Sequence, residues 1–403
     1  MKSKKKIVVI TKQPMNLINK NGSSYYTYAI YKELNKYYDT YLIYASCKKV
    51  IFEKIDSPIQ KTSILGGFIF RSLSINIINI YNAILNYISF IYDVRKYSVQ
   101  ELNMNDVFDN FRINILLNKI KSINPDIVLC NYVFTSNIIQ YLPNHINTFI
   151  ITHDIIHKRR EILNDHKESH NIEYWTQDNE ISLLEKSKNL LAIQKEEEQY
   201  LKKICPGQNI ITLYPPIHCT YGRKANTHHL LFVATNNFFN QTGISWFIHK
   251  IFPSCCALGI KLIVCGRICN FLKKNGLHTN RNIILRGKVE NIDKEYLRAG
   301  AVIIPLLYGT GLKMKLVEAL SYGCPVITTS VGAEGLSGID GYAGIIADDP
   351  NSFFNGIVEV LYTEDKNRAY SRRAYNYSKT VFNPLASTKQ FHNLLQSKME
   401  NIK

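Results

Sequence analysis

The chain has 403 residues, of which 46% are hydrophobic and 20% are charged, and its formal net charge is +17. This composition excludes a disordered chain, and the length favours two domains over one. The positive charge favours anionic partners such as nucleotides or phospholipid head groups. The sequence has no zinc-finger spacing, no Lys/Arg-rich helix and no aromatic RNA-binding motif, so we expect no nucleic acid among its partners.

The first predicted unit is a strand, a polar loop and a helix. The apolar run Lys6–Thr11 predicts a buried strand, and the spacing of apolar residues over Tyr25–Leu34 predicts a helix. The loop between them contains a glycine, Gly22, next to polar residues. Short apolar runs predict further parallel strands of the same sheet at Tyr41–Ala45, Asp126–Cys130, Thr148–Thr152 and Leu190–Ile193.

The segment Ser72–Tyr92 has 21 residues without a charge. Its four asparagines and three serines make it a poor transmembrane helix. On a helix these polar residues fall close to one stripe, which predicts an amphipathic helix with a wide apolar face. That face either packs on the sheet or contacts a membrane surface.

Residues 211–226 predict a linker between two α/β halves. They contain a double proline and a glycine, with no periodicity of apolar residues. We therefore expect an N-terminal domain of residues 1–218 and a C-terminal domain of residues 219–383. Ligands of open parallel sheets bind beyond the carboxyl ends of the strands, so we expect the site in the cleft between the halves. Apolar runs after the linker predict strands at Leu230–Ala234, Lys261–Cys265, Asn282–Leu285, Ala301–Leu306, Pro325–Thr328 and Gly344–Ala347.

A glycine-rich turn connects the predicted strand Ala301–Leu306 to a predicted helix at Met314–Tyr322. The turn contains Gly309, Thr310 and Gly311. Backbone N–H groups at a helix start bind anions, and glycines allow a phosphate to approach the backbone closely. The turn therefore predicts a phosphate site.

Charged residues follow this turn. Lys313 and Lys315 place positive charge near the predicted phosphate site. Glu318 lies about two helical turns further along, where a carboxylate suits the two vicinal hydroxyls of a nucleotide ribose. The alternative is an ordinary turn with solvated lysines and a structural glutamate.

The segment Gly309–Leu336 closely resembles the nucleotide-sugar-binding segment of glycosyltransferase family 4. The resemblance continues over residues 230–247, 260–267 and 282–289, and it is weaker before residue 227. It implies an α/β protein of the GT-B fold, with two Rossmann-like α/β/α domains facing across a cleft. It also implies a retaining glycosyltransferase.

The resemblance implies roles for individual residues. Glu318 matches the glutamate that holds the donor ribose, and His153 matches a histidine that points at the transferred sugar. The implied catalytic residues are His153, Lys313, Lys315 and Glu318. The implied donor-binding residues, besides Glu318, are Gly22, Arg267, Lys288, Val289, Gly309, Thr310, Gly311 and Leu312. On the acceptor side we expect Asp154, Arg159 and Arg160; alternatively, Asp154 caps the helix that follows it.

The sequence departs from the family pattern at two places. Many members carry a glutamate where Thr310 stands here. Many also carry an arginine and a lysine in the loop after the first strand of the second domain, and residues 234–243 contain neither. Charge on the leaving diphosphate is then expected to be neutralised by Lys313, Lys315, Arg267 and backbone amides. The run Glu196-Glu197-Glu198 is interpreted as a solvated helix start.

The resulting functional prediction is transfer of a sugar from a nucleotide-sugar donor to a hydroxyl acceptor, with retention at the anomeric carbon. No Asp-x-Asp cluster occurs, so we expect no metal and no cofactor. The expected acceptor is a saccharide or lipid-linked saccharide of O-antigen, capsule or lipopolysaccharide type. The expected location is the cytoplasm, either free or attached to the anionic inner face of the cell membrane.

Two other functions stay open at this point. One is a nucleotide-sugar epimerase, which also uses two Rossmann-like halves but needs acidic and basic groups around the sugar ring. The other is a non-catalytic, membrane-associated assembly protein built on an inactive transferase.

The end of the chain predicts a final helix. Pro384 breaks the preceding helix, and Phe391, Leu394 and Leu395 recur at helical spacing. The family resemblance implies that residues 384–403 cross back and pack on the N-terminal domain. The alternative is a frayed basic tail.

Overall fold

The computed structural model describes residues 4–11, 22–45, 49–53, 62–65, 110–168, 174–222 and 227–400. The amphipathic segment Ser72–Tyr92 lies outside the described residues, and so does the glycine loop before Gly22. In the described part of the chain, no helix is long and apolar enough to cross a membrane.

The first half of the described chain forms an eight-stranded sheet. Its strands are β1 (Lys6–Thr11), β2 (Asp39–Ala45), β3 (Lys49–Glu53), β4 (Thr62–Leu65), β5 (Ile127–Asn131), β6 (Asn147–Ile151), β7 (Asn189–Ala192) and β8 (Asn209–Thr212). Their order is β4-β3-β2-β1-β5-β6-β7-β8. The pairs β2–β3 and β3–β4 are antiparallel and the others are parallel.

The second half forms a six-stranded parallel sheet. Its strands are β9 (His229–Val233), β10 (Lys261–Cys265), β11 (Ile283–Gly287), β12 (Ala301–Ile304), β13 (Val326–Thr328) and β14 (Gly344–Ile346). Their order is β11-β10-β9-β12-β13-β14. The predicted α/β architecture is therefore confirmed, whereas the boundary at residues 218 and 219 stays a prediction.

Helices connect the strands of both sheets. In the first half they are α1 (Gly22–Tyr37), α2 (Asn110–Ile123), α3 (Ile156–Asp165), α4 (Gln177–Leu184) and α5 (Lys195–Ile204), with a 3₁₀ helix at Val133–Tyr141. In the second half they are α6 (Phe238–Lys250), α7 (Phe252–Ala257), α8 (Ile268–Lys274), α9 (Asp293–Arg298), α10 (Met314–Ser321), α11 (Ser330–Ala333), α12 (Pro350–Tyr362) and α13 (Glu364–Val381). The last helix is α14 (Pro384–Glu400).

The central strands are covered on both faces. In β1 every residue after Lys6 is buried, and all residues of β5, β7 and β12 are buried. Helices on both sides of a parallel sheet require apolar residues on both strand faces, which explains the continuous apolar runs in the sequence.

One apolar core connects the two halves. It contains Ile7 and Leu191 from the first sheet together with Leu231 and Val302 from the second. Two further cores cover the other face of each sheet. Burial of apolar surface therefore stabilises the contact between the halves as well as each half.

Helix α14 crosses back to the first half, as the family resemblance implied. Phe391 and Leu395 are 1% and 0% exposed and belong to the core that connects the halves. The ring of Phe391 packs edge-on against Phe149 of β6, with centroids 5.6 Å apart. Pro384 is tolerated because it is the first residue of the helix, where its missing N–H has no helical partner. The alternative of a frayed tail is excluded for this helix.

Candidate functional site

The carboxyl ends of β6 and β12 bring the two halves into contact. A Cβ atom added to Gly311, in the turn after β12, would lie 2.9 Å from the backbone oxygen of His153, which follows β6. Gly311 also has a φ of +72°, which disfavours other residues. The glycine thus allows a close approach of the two strand ends, at the edge where α/β sheets bind ligands.

Lys313 is buried at the start of α10. Its side chain is 6% exposed, and its ammonium donates to the backbone oxygen of Gly311 at 2.7 Å and to Glu334 Oε2 at 2.8 Å. It stands at the N-cap position without a side-chain cap bond, so its side chain does not satisfy the first N–H groups of α10. Glu334 is a residue of this site that the sequence did not single out.

Lys315 is the second residue of α10 and contacts a different part of the second half. Its ammonium donates to Asn240 Oδ1 and lies 5.1 Å from the ring centroid of Phe232. Burial, and then the charge of Lys313, lower the pKa of Lys315 to about 7, while Glu318 opposes this change. Asn240 belongs to the segment that lacks the arginine and lysine of many family members. Lys315 therefore supplies positive charge next to that segment.

Glu318 is held by a tyrosine. Its Oε2 accepts a hydrogen bond of 2.8 Å from the hydroxyl of Tyr296, which is fully buried. The ring of Tyr296 stacks on Tyr322 at 5.1 Å. Burial and the charge of Glu318 raise the pKa of Tyr25, in α1 of the first half, to about 12. The glutamate therefore lies on the side of α10 that faces the first half.

His153 has an unusual backbone conformation and is buried. Its φ is +56°, and such strain in a residue other than glycine is frequent at functional positions. Its ring stacks on Tyr132 at 4.1 Å and meets the edge of Tyr26 at 4.8 Å. Nε2 is hydrogen-bonded with Asn131 Oδ1. Burial lowers the pKa of His153 to about 3, so its imidazole is neutral at physiological pH.

Asn131 connects His153 to the first strand and first helix. Its Oδ1 also accepts a 2.8 Å hydrogen bond from Thr27, and its Nδ2 donates to Thr11 Oγ1 at 3.0 Å. All of these residues are buried. This network fixes the position of the imidazole at the end of β6.

Asp154 does not cap α3, so the capping alternative is wrong. The N–H groups of Ile156 and His157 donate to the carboxylate of Glu180, at 3.0 and 2.8 Å. The Nδ1 atom of His157 also forms a hydrogen bond of 2.6 Å with Glu180 Oε2. Glu180 therefore satisfies the helix start, and no local pattern indicates this because the residue lies in another helix, α4.

The carboxylate of Asp154 instead faces the second half. Its Cγ would lie 3.5 Å from a Cβ atom on Gly311. It pairs with Arg159 Nη1 at 3.3 Å. Burial raises the pKa of Asp154, and the charge of Arg159 opposes this effect. Thr310 Oγ1 lies beside this carboxylate without the geometry of a hydrogen bond.

Helix α3 packs on the second half through cations and rings. The guanidinium of Arg159 lies 5.2 Å from the ring centroid of Phe239 in α6. The ring of His166, after α3, contacts Tyr308 at 4.1 Å and Phe238 at 5.2 Å. Arg160 is partly buried, and its Nε has no hydrogen-bond partner. Two of the predicted acceptor-side residues, Arg159 and Arg160, therefore lie on a helix that contacts both halves.

Two of the three consecutive glutamates are buried, which corrects the interpretation of a solvated helix start. Glu197 and Glu198 are 4% and 5% exposed, whereas Glu196 is exposed. Glu198 pairs with Lys195 and Lys202 of its own helix. Glu197 forms no ion pair with a lysine among the described residues.

The remaining predicted donor-binding residues lie in the second half, except Gly22. Arg267 and Lys288 follow β10 and β11 and are exposed. Val289 packs on the core that connects the halves, and Leu312 is buried in it. Gly22 is the first residue of α1.

In the ranges that the structure describes, no group of three or more His, Cys, Asp and Glu side chains could hold a metal ion. The eight cysteines in this part of the chain are free thiols.

Residues 227–363 match the family model described as "Glycosyl transferases group 1". The resemblance stated from the sequence is thus confirmed for this segment. An uncharacterised 44.6 kDa protein in the cps region of Klebsiella pneumoniae is 26% identical over 204 residues, which cover 48% of this chain and 47% of that protein. An uncharacterised glycosyltransferase of Methanocaldococcus jannaschii is 28% identical over 28% of this chain and 32% of its own. The matches thus span about half or less of the relatives' lengths.

Solved structures resemble nearly the whole chain. Sucrose-phosphate synthase from Thermosynechococcus elongatus has a TM-score of 0.67 at 13% identity and covers 98% of this chain and 100% of its own. HepE of Anabaena, in complex with UDP and glucose, has a TM-score of 0.63 at 12% identity with the same coverage. WaaG, a glycosyltransferase involved in lipopolysaccharide biosynthesis, has a TM-score of 0.56 at 11% identity, covering 95% and 98%. The predicted GT-B fold is confirmed.

Proposed function

We propose that the chain is a retaining glycosyltransferase that moves a sugar from a nucleotide-sugar donor to a hydroxyl acceptor. The observation that carries this proposal is the arrangement around α10. An uncapped helix start, a partly buried lysine and an oriented carboxylate lie along one short helix at the ligand-binding edge of the second sheet. The segment that contains them matches group 1 glycosyltransferases.

The nucleotide is bound by the second half. Glu318, oriented by Tyr296, accepts hydrogen bonds from the two ribose hydroxyls. The diphosphate binds at the start of α10, where free N–H groups and the helix dipole favour an anion. The complex of HepE with UDP and glucose supports a donor of this class.

Neutralisation of the leaving diphosphate is the main catalytic task. Lys315 supplies the cation. Arg159 lies over Phe239 and is paired with Asp154, so it stays on the acceptor side. Lys313 is already paired with Glu334, so its role is to hold the turn. Cations and aligned amides in a closed cleft stabilise charge that develops in the transition state.

His153 acts as a neutral residue at the transferred sugar. The Nε2–H group of the neutral ring donates to Asn131 Oδ1, so Nδ1 can only accept a hydrogen bond from a sugar hydroxyl and does not carry a proton between groups. The acceptor hydroxyl attacks from the side of the leaving diphosphate, whose oxygen takes the proton. The sugar therefore keeps its anomeric configuration.

The proposed acceptor is a saccharide or lipid-linked saccharide of a surface polysaccharide. The relative in the cps region and the likeness to WaaG support this class. The net charge of +17 favours attachment to an anionic membrane surface.

A product assay tests the function. The purified chain is incubated with a panel of nucleotide sugars and with saccharide or lipid-linked acceptors, and released nucleoside diphosphate and product are measured by NMR. We expect a glycoside with the anomeric configuration of the donor. An inverted product would contradict retention. An isomerised donor in the absence of acceptor would identify an epimerase instead.

A further inference from the structure

Glu197 is a buried carboxyl group between the two halves that the mechanism above does not use. Burial is the first cause that raises its pKa well above the usual range, and the charges of Asp154 and Glu334 raise it further. Lys313 opposes these effects. Its Oε2 accepts a hydrogen bond of 3.5 Å from Thr152 Oγ1, whereas its Oε1 has no hydrogen-bond partner among the described residues.

Four buried oxygen atoms in this region have no hydrogen-bond partner among the residues that the structure describes. They are Asp154 Oδ1, Gln194 Oε1, Glu197 Oε1 and Thr310 Oγ1. Asp154, Gln194 and Glu197 are 7%, 1% and 4% exposed, so water does not compensate for the missing bonds in the way it does at a surface. An unpaired buried acceptor is destabilising, and a group of them at one place indicates a ligand that donates hydrogen bonds.

The oxygens lie between segments of opposite halves. Gln194 Oε1 would be 1.6 Å from a Cβ atom on Gly335, and the carboxylate of Asp154 lies next to Gly311. Separation of the halves therefore opens this region, and closure on a ligand encloses it. A sugar carried by a nucleotide bound at α10 would enter the same gap, next to His153.

The charges in this region are already paired. Lys313 contacts Glu334 at 2.8 Å and Arg159 contacts Asp154 at 3.3 Å. A sugar carboxylate would find the carboxylates of Asp154 and Glu334 here, and both nearby cations are already paired with them. Neutral hydroxyl groups, in contrast, match the available acceptors.

We propose that Asp154, Gln194, Glu197 and Thr310 form the subsite for the transferred sugar and select a neutral, hydroxyl-rich sugar over a uronate. This inference rests on the proposed nucleotide-sugar donor. Glu197 and Gln194 supply oxygens from the first half, and Thr310 supplies one from the second half, at a position where many family members carry a glutamate. The subsite is therefore complete only when the halves are closed.

Calorimetric titration of the full chain tests the inference. The nucleoside diphosphate that binds most tightly is first chosen from UDP, GDP, ADP and dTDP. Its neutral hexose derivative and the matching derivative with a C6 carboxylate are then compared. We expect the neutral derivative to bind about tenfold more tightly than the uronate. The uronate loses one hydrogen bond to the site, and its carboxylate is repelled by the carboxylates there. Equal affinities, or a preference for the uronate, would overturn the proposal.

Variants of Glu197 test its role. Glu197→Leu removes both hydrogen-bonding atoms and should weaken the neutral derivative about tenfold while leaving the free diphosphate unaffected. Glu197→Gln keeps one donor and one acceptor and should bind nearly as the parent protein does. Glu198→Gln is the matched control, because its carboxylate pairs with lysines of its own helix. Gln194→Met is the second variant should Glu197→Leu fail to fold.

The outcomes separate this proposal from the function itself. Normal binding of the diphosphate with unchanged affinity for the sugar derivative in Glu197→Leu and Gln194→Met would overturn the subsite alone. Absence of binding by every diphosphate would overturn the proposed function and the subsite with it.

Discussion

Lys315 is a lysine whose charge depends on pH in the physiological range. Burial lowers its pKa to about 7, so the ammonium is charged below that pH and loses its proton above it. A bound diphosphate favours the charged form, and its affinity should therefore fall as the pH rises from about 6.5 to about 8.5, by roughly an order of magnitude. Titration of the nucleoside diphosphate at several pH values measures this.

The matched variant for this prediction is Lys315→Arg. Arginine stays charged over the whole interval, so the slope attributable to position 315 should disappear. The phosphate's own titration remains in both proteins and cancels in the comparison. An identical pH dependence in the two proteins would contradict a role for Lys315 in binding the diphosphate.

At the residue scale, type and spacing indicated Lys315 and Glu318, and the family resemblance indicated His153; their roles stay predictions. It could not predict the burial of Glu197, since three consecutive glutamates at a helix start are usually solvated. Lys313 and Glu334, whose charges act on the pKa of Glu197, lie more than a hundred positions away along the chain. Tertiary contact between the halves decides the burial.

The turn Gly309–Gly311 is the element that sets how closely the halves approach. We predict that Gly311→Ala abolishes most of the transferase activity, because its Cβ atom would lie 2.9 Å from the backbone of His153. Gly338→Ala is the control: its φ is also +72°, but no atom lies within 4 Å of the added Cβ. Both variants carry a backbone cost of about 1 kcal/mol, whereas a loss of turnover is expected only in the first.

Helix α14 contributes stability through Phe391. We predict that Phe391→Ala lowers the free energy of unfolding by about 3–5 kcal/mol, the usual result of removing a buried ring. Leu385→Ala on the same helix should have little effect because Leu385 is 69% exposed. Urea denaturation of both variants measures the difference, and equal stabilities would show that the helix does not anchor the halves.

At the element scale, the central strands could be predicted because burial on both faces gives continuous apolar runs. The short strands β3, β4 and β8 were not predicted. They have five, four and four residues and carry polar or charged residues. Their pairing depends on the neighbouring strand more than on their own pattern.

The charge of the whole molecule predicts attachment to anionic membranes. With a net charge of +17, the chain should co-sediment with vesicles that contain phosphatidylglycerol and not with vesicles of phosphatidylcholine. High salt should release much of it, because screening weakens surface electrostatics. Equal recovery with both vesicle types would count against the proposed membrane attachment.

The central claim is that a nucleotide-sugar donor binds at the carboxyl edge of the second sheet through Glu318. The most direct test is calorimetric titration of nucleoside diphosphates into the parent protein and into Glu318→Gln, with Glu364→Gln as a control for an exposed glutamate. We predict binding of at least one diphosphate, weakened roughly 10- to 100-fold in Glu318→Gln by the loss of charge-assisted hydrogen bonds and unchanged in the control. Binding that is equally tight in Glu318→Gln, or no binding by any diphosphate, would contradict the claim.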